Sequence, residues 1–369
     1  MNEIDNKGWL KFQQKNLNFE LENLTSYINS LESMMNEEIA KNIDLNIDKE
    51  IYKSTLRALV KISSESNIFL LQNAKYIINQ DSKYEHYHIS YPYLLFHLRN
   101  DSQESGTLHT DTIKESGFSL TSWSPVNNYE LEYSPLTIIE KTDNTFDLFF
   151  LKILRRFFND NKIYNYYYKK FKTVIDLKPK KNDSYIWHAD TVHVGNLNKG
   201  NKTHYALTSK ISKNPHLTEP SIKIKDYILN EKNFKKKQRI NYTDLFNQIN
   251  EINDKVINFY DTCDLDKDHK VLIEKLTIIK NKINNKELIH CVAFAYSLIG
   301  YKQKDSKLSL LQYFVSMFFL PKYLSSLYNI LMISKKIRIF SYFEYLKNNC
   351  NFEETFQKMF IKKYNKDFL

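Results

Sequence analysis

The sequence predicts an α+β fold in which a β-rich core near residues 90–212 is held between helical flanks. Turn residues give the first indication. Four of the six glycines and six of the seven prolines lie between residues 92 and 220, and turn punctuation marks the part of a chain that reverses direction often, as β-structure must. The same third carries short β-rich runs. Both flanks lack that punctuation and space their apolar residues three and four apart, as helices do.

Taken in order, residues 17–43 and 48–79 read as N-terminal helices. The β-runs follow: YLLFHLRN (93–100), FSLTSWSPV (118–126), LTIIEK (136–141), KTVIDLKP (172–179), DSYIWHAD (183–190) and THYALTSKI (203–211). Several short strands with turn signals between them suggest a sandwich or jelly roll. Residues 145–171 interrupt them with an aromatic, helical pattern that reads as a cap over the barrel mouth. Helical periodicity resumes at 242–262, 268–284, 286–302, 306–334 and 336–364. Two domains are therefore expected: 1–212, helical over 1–89 with a jelly-roll core at 90–212, and a helical domain over 221–369.

Composition narrows the function classes. A hydrophobic content of 42% over 369 residues excludes a disordered chain. The most apolar stretch, 308–333, contains Gln312, Pro321 and Lys322. It reads as a buried helix pair broken at Pro321, not as a membrane span. The N-terminus has no basic-then-apolar signal pattern. Cys263, Cys291 and Cys350 lie far apart, without a metal or disulfide spacing, so a reducing cytoplasm is expected. The net charge is +10, with basic runs at 166–172, 178–181 and 232–239. No nucleic-acid motif accompanies them, so the expected partner is an anionic small substrate and not nucleic acid. The acidic DLDKDH segment (264–269) fails as a calcium loop, because His269 stands where the turn needs Gly and Lys275 where the bidentate Glu belongs.

The chemistry-bearing residues are histidines and carboxylates. His109-Thr-Asp111 puts two ligand types on one side of an extended segment, and two His with one carboxylate suit a non-haem Fe(II) site with open positions. The pair reads equally as a polar turn before a strand. His188-Ala-Asp190 repeats the spacing, and His188, Asp190 and His193 could form a local site of their own.

The order HTD, then SLTSWSPV, then NDSYIWHADTVHVGNLNKGNKTHYALTSKIS resembles the phytanoyl-CoA dioxygenase-like branch of the Fe(II)/2-oxoglutarate oxygenases, and within it the sugar- and antibiotic-pathway members. The likeness covers about residues 90–212. It places the family's HxD on His109 and Asp111, its W-x-P strand on Trp123 and Pro125, and its Gly-Asp on Asn182-Asp183, ten residues before a distal His at His193. The resemblance implies a double-stranded β-helix (jelly-roll, cupin-like) core with Fe(II) on His109, Asp111 and His193. It further implies 2-oxoglutarate as cosubstrate, O2 as oxidant, and no catalytic residue beyond the metal ligands. The family's Asn falls on Asn198. Its 2-oxoglutarate-anchoring Arg falls on His204, and the hydroxyl residue two further on falls on Ala206. Arg99, Lys202 and Lys210 are candidate stand-ins, and Lys210 would share His204's strand face. The expected function is a dioxygenase that hydroxylates or oxidises a small glycan-pathway or secondary-metabolite substrate. The alternatives are a jelly-roll binding protein that has lost catalysis, favoured by His204 and Ala206, and a metal enzyme using another cosubstrate. Bound metal and 2-oxoglutarate turnover separate the three.

Overall fold

The computed structural model describes all residues except 1–3, 5–6, 14–17, 42–48, 98–108, 112–117, 128–133, 141–148, 150–169, 171, 181, 197, 199–202, 217–220, 231–239, 322 and 351–369. The expected cap at 145–171 and the basic run at 232–239 fall almost wholly outside the described residues. The chain divides into two compact units: Met1–Tyr27 with Ser63–His216 and Ser221–Lys237, and Ile28–Ile62 with Leu217–Pro220 and Gln238–Leu369.

The first unit is built on two antiparallel sheets. Its strands are β1 (Trp9–Gln13), β2 (His88–Ser90), β3 (Tyr93–His97), β4 (Phe118–Pro125), β5 (Leu136–Ile139), β6 (Val174–Asp176), β7 (Asp183–His188), β8 (His193–Gly195), β9 (His204–Ser212) and β10 (Ser221–Lys223). The large sheet runs β1-β7-β4-β9-β2-β10, with β3 also paired to β9; the small sheet runs β6-β5-β8. All six expected strands are present. Four were not expected, namely β1, β2, β8 and β10, and three of these are only three residues long.

Strand alternation sends the two faces of the large sheet to different neighbours. One face buries Trp123, Tyr185, Trp187 and Ala206 with Leu136 and Ile138 of the small sheet. The opposite face places Leu10, Phe12, Leu120, Ile186 and Ile211 in a cluster with Leu70, Leu71, Ala74 and Ile77. Those four belong to helix α3, described below, and Ile224 and Tyr227 of the short helix α4 (Ile224–Leu229) join the same cluster. At the start of β7, Asn182 adopts φ 72°, a left-handed conformation that Asn tolerates better than most residues. The following Asp183 is fully buried. Its carboxylate accepts the Lys180 N–H at 2.7 Å and pairs with Lys11 Nζ at 2.7 Å, which ties β1 to β7.

Helix α1 (Asn18–Lys41) contains the division between units, after Tyr27. The expected single helix at 48–79 is two: α2 (Lys49–Ile62) and α3 (Ser64–Gln80). They part at Ser63, whose extended backbone and hydroxyl accepting from Ser66 N make it an N-cap.

The second unit is helical: α2 with α5 (Tyr242–Thr262), α6 (His269–Lys282), α7 (Lys286–Lys302), α8 (Ser306–Phe319), α9 (Leu324–Ile337) and α10 (Ser341–Asn349). The stretch 308–333 is a helix pair parted around Pro321, and no described helix is long and apolar enough to cross a membrane. Helix α2, placed by sequence with the first domain, packs on α7. Cys291 Sγ lies 3.5 Å from Ala58 O, and Lys61 Nζ stands 4.2 Å above the Phe294 ring. A fragment beginning at residue 221 would therefore bare the face of α7 that α2 covers. Gly300 of α7 has no side chain because a Cβ there would meet the Tyr313 ring of α8 at 3.1 Å. The DLDKDH segment is a turn closed on the Asp264 carboxylate, whose Oδ1 accepts from the N–H groups of Asp266 and Lys267. The three cysteines are free thiols.

Candidate metal centre

The centre is assembled by backbone hydrogen bonds. His109 N donates to His193 O at 3.0 Å, and His193 N returns a bond to His109 O at 2.9 Å. A reciprocally bonded antiparallel pair presents its two side chains on one face, and the two imidazole rings lie 4.4 Å apart. Asp111, two residues on, lies on that face too, and its N–H donates to Ala189 O at 2.8 Å. One ligand atom from each of His109, Asp111 and His193 lies within 4.8 Å of the others, and no other such group occurs among the described residues.

His193 is 4% exposed, and its Nδ1 lies 3.0 Å from the Thr191 carbonyl oxygen. That nitrogen must carry the proton, which leaves the lone pair on Nε2, 3.6 Å from Asp111 Oδ2. Burial lowers the His193 pKa to about 4, against the pull of Asp111 and with the help of His109. It is a neutral ligand at neutral pH, as metal binding requires.

Asp111 is gripped by a row of residues in register across three neighbouring strands. Trp187 of β7 pairs with Thr121 of β4, which pairs with Lys210 of β9. Thr121 Oγ1 donates to Asp111 Oδ2 at 2.6 Å, and Trp187 Nε1 donates to the same oxygen at 3.3 Å. Lys210 Nζ forms an ion pair with Oδ1 and lies 3.2 Å from Thr121 Oγ1. Burial raises the Asp111 pKa, but the Lys210 charge, His193 (protonated at the low pH where this carboxyl titrates) and the bonds from Lys210 and Thr121 outweigh it, so the carboxyl stays below its ordinary range. The group is an anion at any working pH.

Of the other candidate residues, Lys210 reaches the centre through Asp111 and His188 does not. His188 ends β7 with the parity of Ile186, which packs toward α3, whereas Trp187 faces Asp111 and sits 5.1 Å from the His193 ring. Strand parity thus separates His188 from the centre. Lys210 stands at the Asp111 end of β9. His204 begins that strand, buried, on the same face but six residues away, or about 20 Å of extended chain. Asn198 is buried just beyond β8. Arg99 and Lys202 lie outside the described residues. Thr121 and Trp187 were not singled out from sequence, although Trp187's inward parity was readable from the alternation in DSYIWH.

The sequence matches no protein-family model and no curated protein. Among solved structures the chain is similar to SnoK, described as a non-haem alpha-ketoglutarate-dependent carbocyclase from nogalamycin biosynthesis, at 14% identity and a TM-score of 0.34, over 59% of this chain and 84% of that one. AviO1 from Streptomyces viridochromogenes Tue57 is similar at 10% identity and a TM-score of 0.38, over 57% and 91%. HygX from Streptomyces hygroscopicus, solved with nickel and 2-oxoglutarate bound, is similar at 13% identity and a TM-score of 0.35, over 56% and 84%.

Proposed function

We propose that the first unit is a non-haem Fe(II) dioxygenase of jelly-roll type, using 2-oxoglutarate and O2 to oxidise a small substrate of the glycan-pathway or secondary-metabolite kind. The observation that carries this reading is the convergence of two imidazoles and one carboxylate from distant parts of the chain, with the His193 tautomer set by the Thr191 carbonyl. Three ligands on one face of a metal leave positions open for other molecules, which is the donor set of iron oxygenases. Fe(II) held there would supply the activation of O2. The chain's own part is geometric and electrostatic. The His109–His193 bridge fixes two ligands, Thr121 and Trp187 orient the third, and Trp123, Tyr185 and Trp187 pack the same sheet face into an apolar core. Asn198 and His204 are proposed to contribute to the cosubstrate site, as is Arg99 on sequence grounds. The organisation into an oxygenase domain over 1–212 and a helical domain from 221 is proposed with one amendment, that residues 28–62 act with the helices.

A second reading has its own support. Lys210 already places a positive charge on Asp111, and His204 stands where an arginine would make two parallel bonds to a carboxylate. Both features suit a protein that keeps the architecture without the chemistry. Titration of the Mn(II)-loaded protein with 2-oxoglutarate separates the readings. The oxygenase reading expects saturable binding in the wild type, tightened about tenfold to a hundredfold in His204→Arg by one added charge-assisted bond. Binding that is absent in the wild type and created by His204→Arg indicates the lapsed form. Absence from both variants removes 2-oxoglutarate from the account.

A further inference from the structure

Lys210 raises a problem of charge that the three ligands alone do not. Asp111 Oδ2 already accepts from Thr121 and from Trp187, and a carboxylate oxygen has two lone-pair positions to offer. Oδ2 is also the oxygen beside His193 Nε2, at 3.6 Å, while the Lys210 ammonium holds Oδ1. A metal ion and Lys210 therefore compete for the same carboxylate. Two neutral imidazoles, one carboxylate and a divalent metal sum to +1, and the ammonium raises this to +2. Two cations so close in a largely buried site repel strongly unless an anion lies between or beside them.

The same side chain is suited to receive that anion. Lys210 enters from β9 with its side chain 21% exposed, so it has room to move. Its ammonium has three N–H donors, which reach two acceptors among the described residues, Asp111 Oδ1 and Thr121 Oγ1. Thr121 can serve both states, donating its O–H to Asp111 Oδ2 while accepting from Lys210.

We propose that Lys210 is an exchangeable counter-ion that couples metal binding to carboxylate binding. Without metal it neutralises Asp111. With metal it releases Oδ1 and pairs with a carboxylate co-ligand bound at or beside the metal, so that metal and anion bind as a linked pair. This rests on the metal-centre reading above and adds to it the exchange of Lys210 between Asp111 and the bound carboxylate. The linkage is reciprocal, since each ligand strengthens the other by the same factor.

The test uses the full chain, Mn(II) and oxalate, a dicarboxylate too short to reach His204. Free Mn(II) is followed by its EPR signal with and without oxalate, and native folding of each variant is checked by thermal melting. In the wild type oxalate should tighten Mn(II) by about tenfold or more, the scale of one charge-assisted interaction. Lys210→Met should bind Mn(II) alone more tightly than the wild type, by a similar factor, and should lose most of the oxalate enhancement. Lys210→Arg, which keeps the charge, should retain it. Weaker Mn(II) binding by Lys210→Met would make Lys210 a fixed positioning partner of Asp111 and overturn the proposal. So would a wild type that binds Mn(II) indifferently to oxalate, a result independent of any variant. In both cases the metal centre would stand. Failure of every form to bind Mn(II) would overturn the proposal and the metal reading together.

Discussion

Asp111→Ala is expected to abolish metal binding, whereas His188→Ala, altered at a residue that also sits in a His-x-Asp pair, should keep it. The asymmetry follows from strand parity and from the number of ligands. A three-ligand site that loses its only anion retains two neutral imidazoles and gains the uncompensated Lys210 charge, which now repels the metal. The loss should exceed the ~10–100-fold that removal of an outer partner costs. Metal content of the purified variants and Mn(II) titration measure it. Retention of metal by Asp111→Ala with loss in His188→Ala would move the centre to the other His-x-Asp pair.

The second large effect is on stability. Trp123 is 2% exposed and joins the two sheets, packing with Leu136, Ile138, Tyr185, Trp187 and Ala206. Its ring lies 5.7 Å from that of Tyr185. Truncation to alanine removes a large apolar surface and leaves a cavity that a sheet-on-sheet core cannot fully close, so Trp123→Ala should destabilise the first unit by about 3–5 kcal/mol. The readout is specific, because the three tryptophans, Trp9, Trp123 and Trp187, all belong to that unit. Denaturant unfolding followed by the fluorescence of Trp9 and Trp187 thus reports it without contribution from the helical unit. Leu229→Ala, at a residue of the same unit that is 72% exposed, is the control and should change stability by less than about 0.5 kcal/mol. A Trp123→Ala midpoint indistinguishable from the wild type would mean that the two sheets do not share this core.

How much of this was legible in the sequence depends on the range of the physics involved. Helices α5 and α7 were readable to their ends, since apolar periodicity and the Asn241 and Asn285 caps are local signals. The break at Ser63 was equally local but was masked by apolar periodicity continuing on both sides. Strand β1 was missed because WLKFQ is too short to stand out, and it is a strand chiefly because the edge of β7 offers it a partner. Placing α2 with the C-terminal helices could not be read, because its partner α7 lies more than 200 residues away in sequence and nothing in the α2 periodicity names it. The His109–Asp111 pair was visible from spacing alone. Choosing His193 over His188 rested on resemblance, although the inward parity of Trp187 supplies a physical reason. The Trp187–Thr121–Lys210 row was invisible for a deeper reason: register between strands is set by pairing, not by sequence separation. Lys210, read from sequence as a stand-in for the cosubstrate-anchoring arginine, forms an ion pair with Asp111.

Crystals of the full chain soaked in Mn(II) and oxalate test the central claim most directly, through the anomalous difference map. The account predicts one strong peak per chain at ~2.0–2.2 Å, the range of imidazole and carboxylate bonds to a first-row dication, from a ring nitrogen of His109, Nε2 of His193 and one carboxylate oxygen of Asp111. A peak bound instead by His188 and Asp190, or no peak at saturating metal, would contradict it.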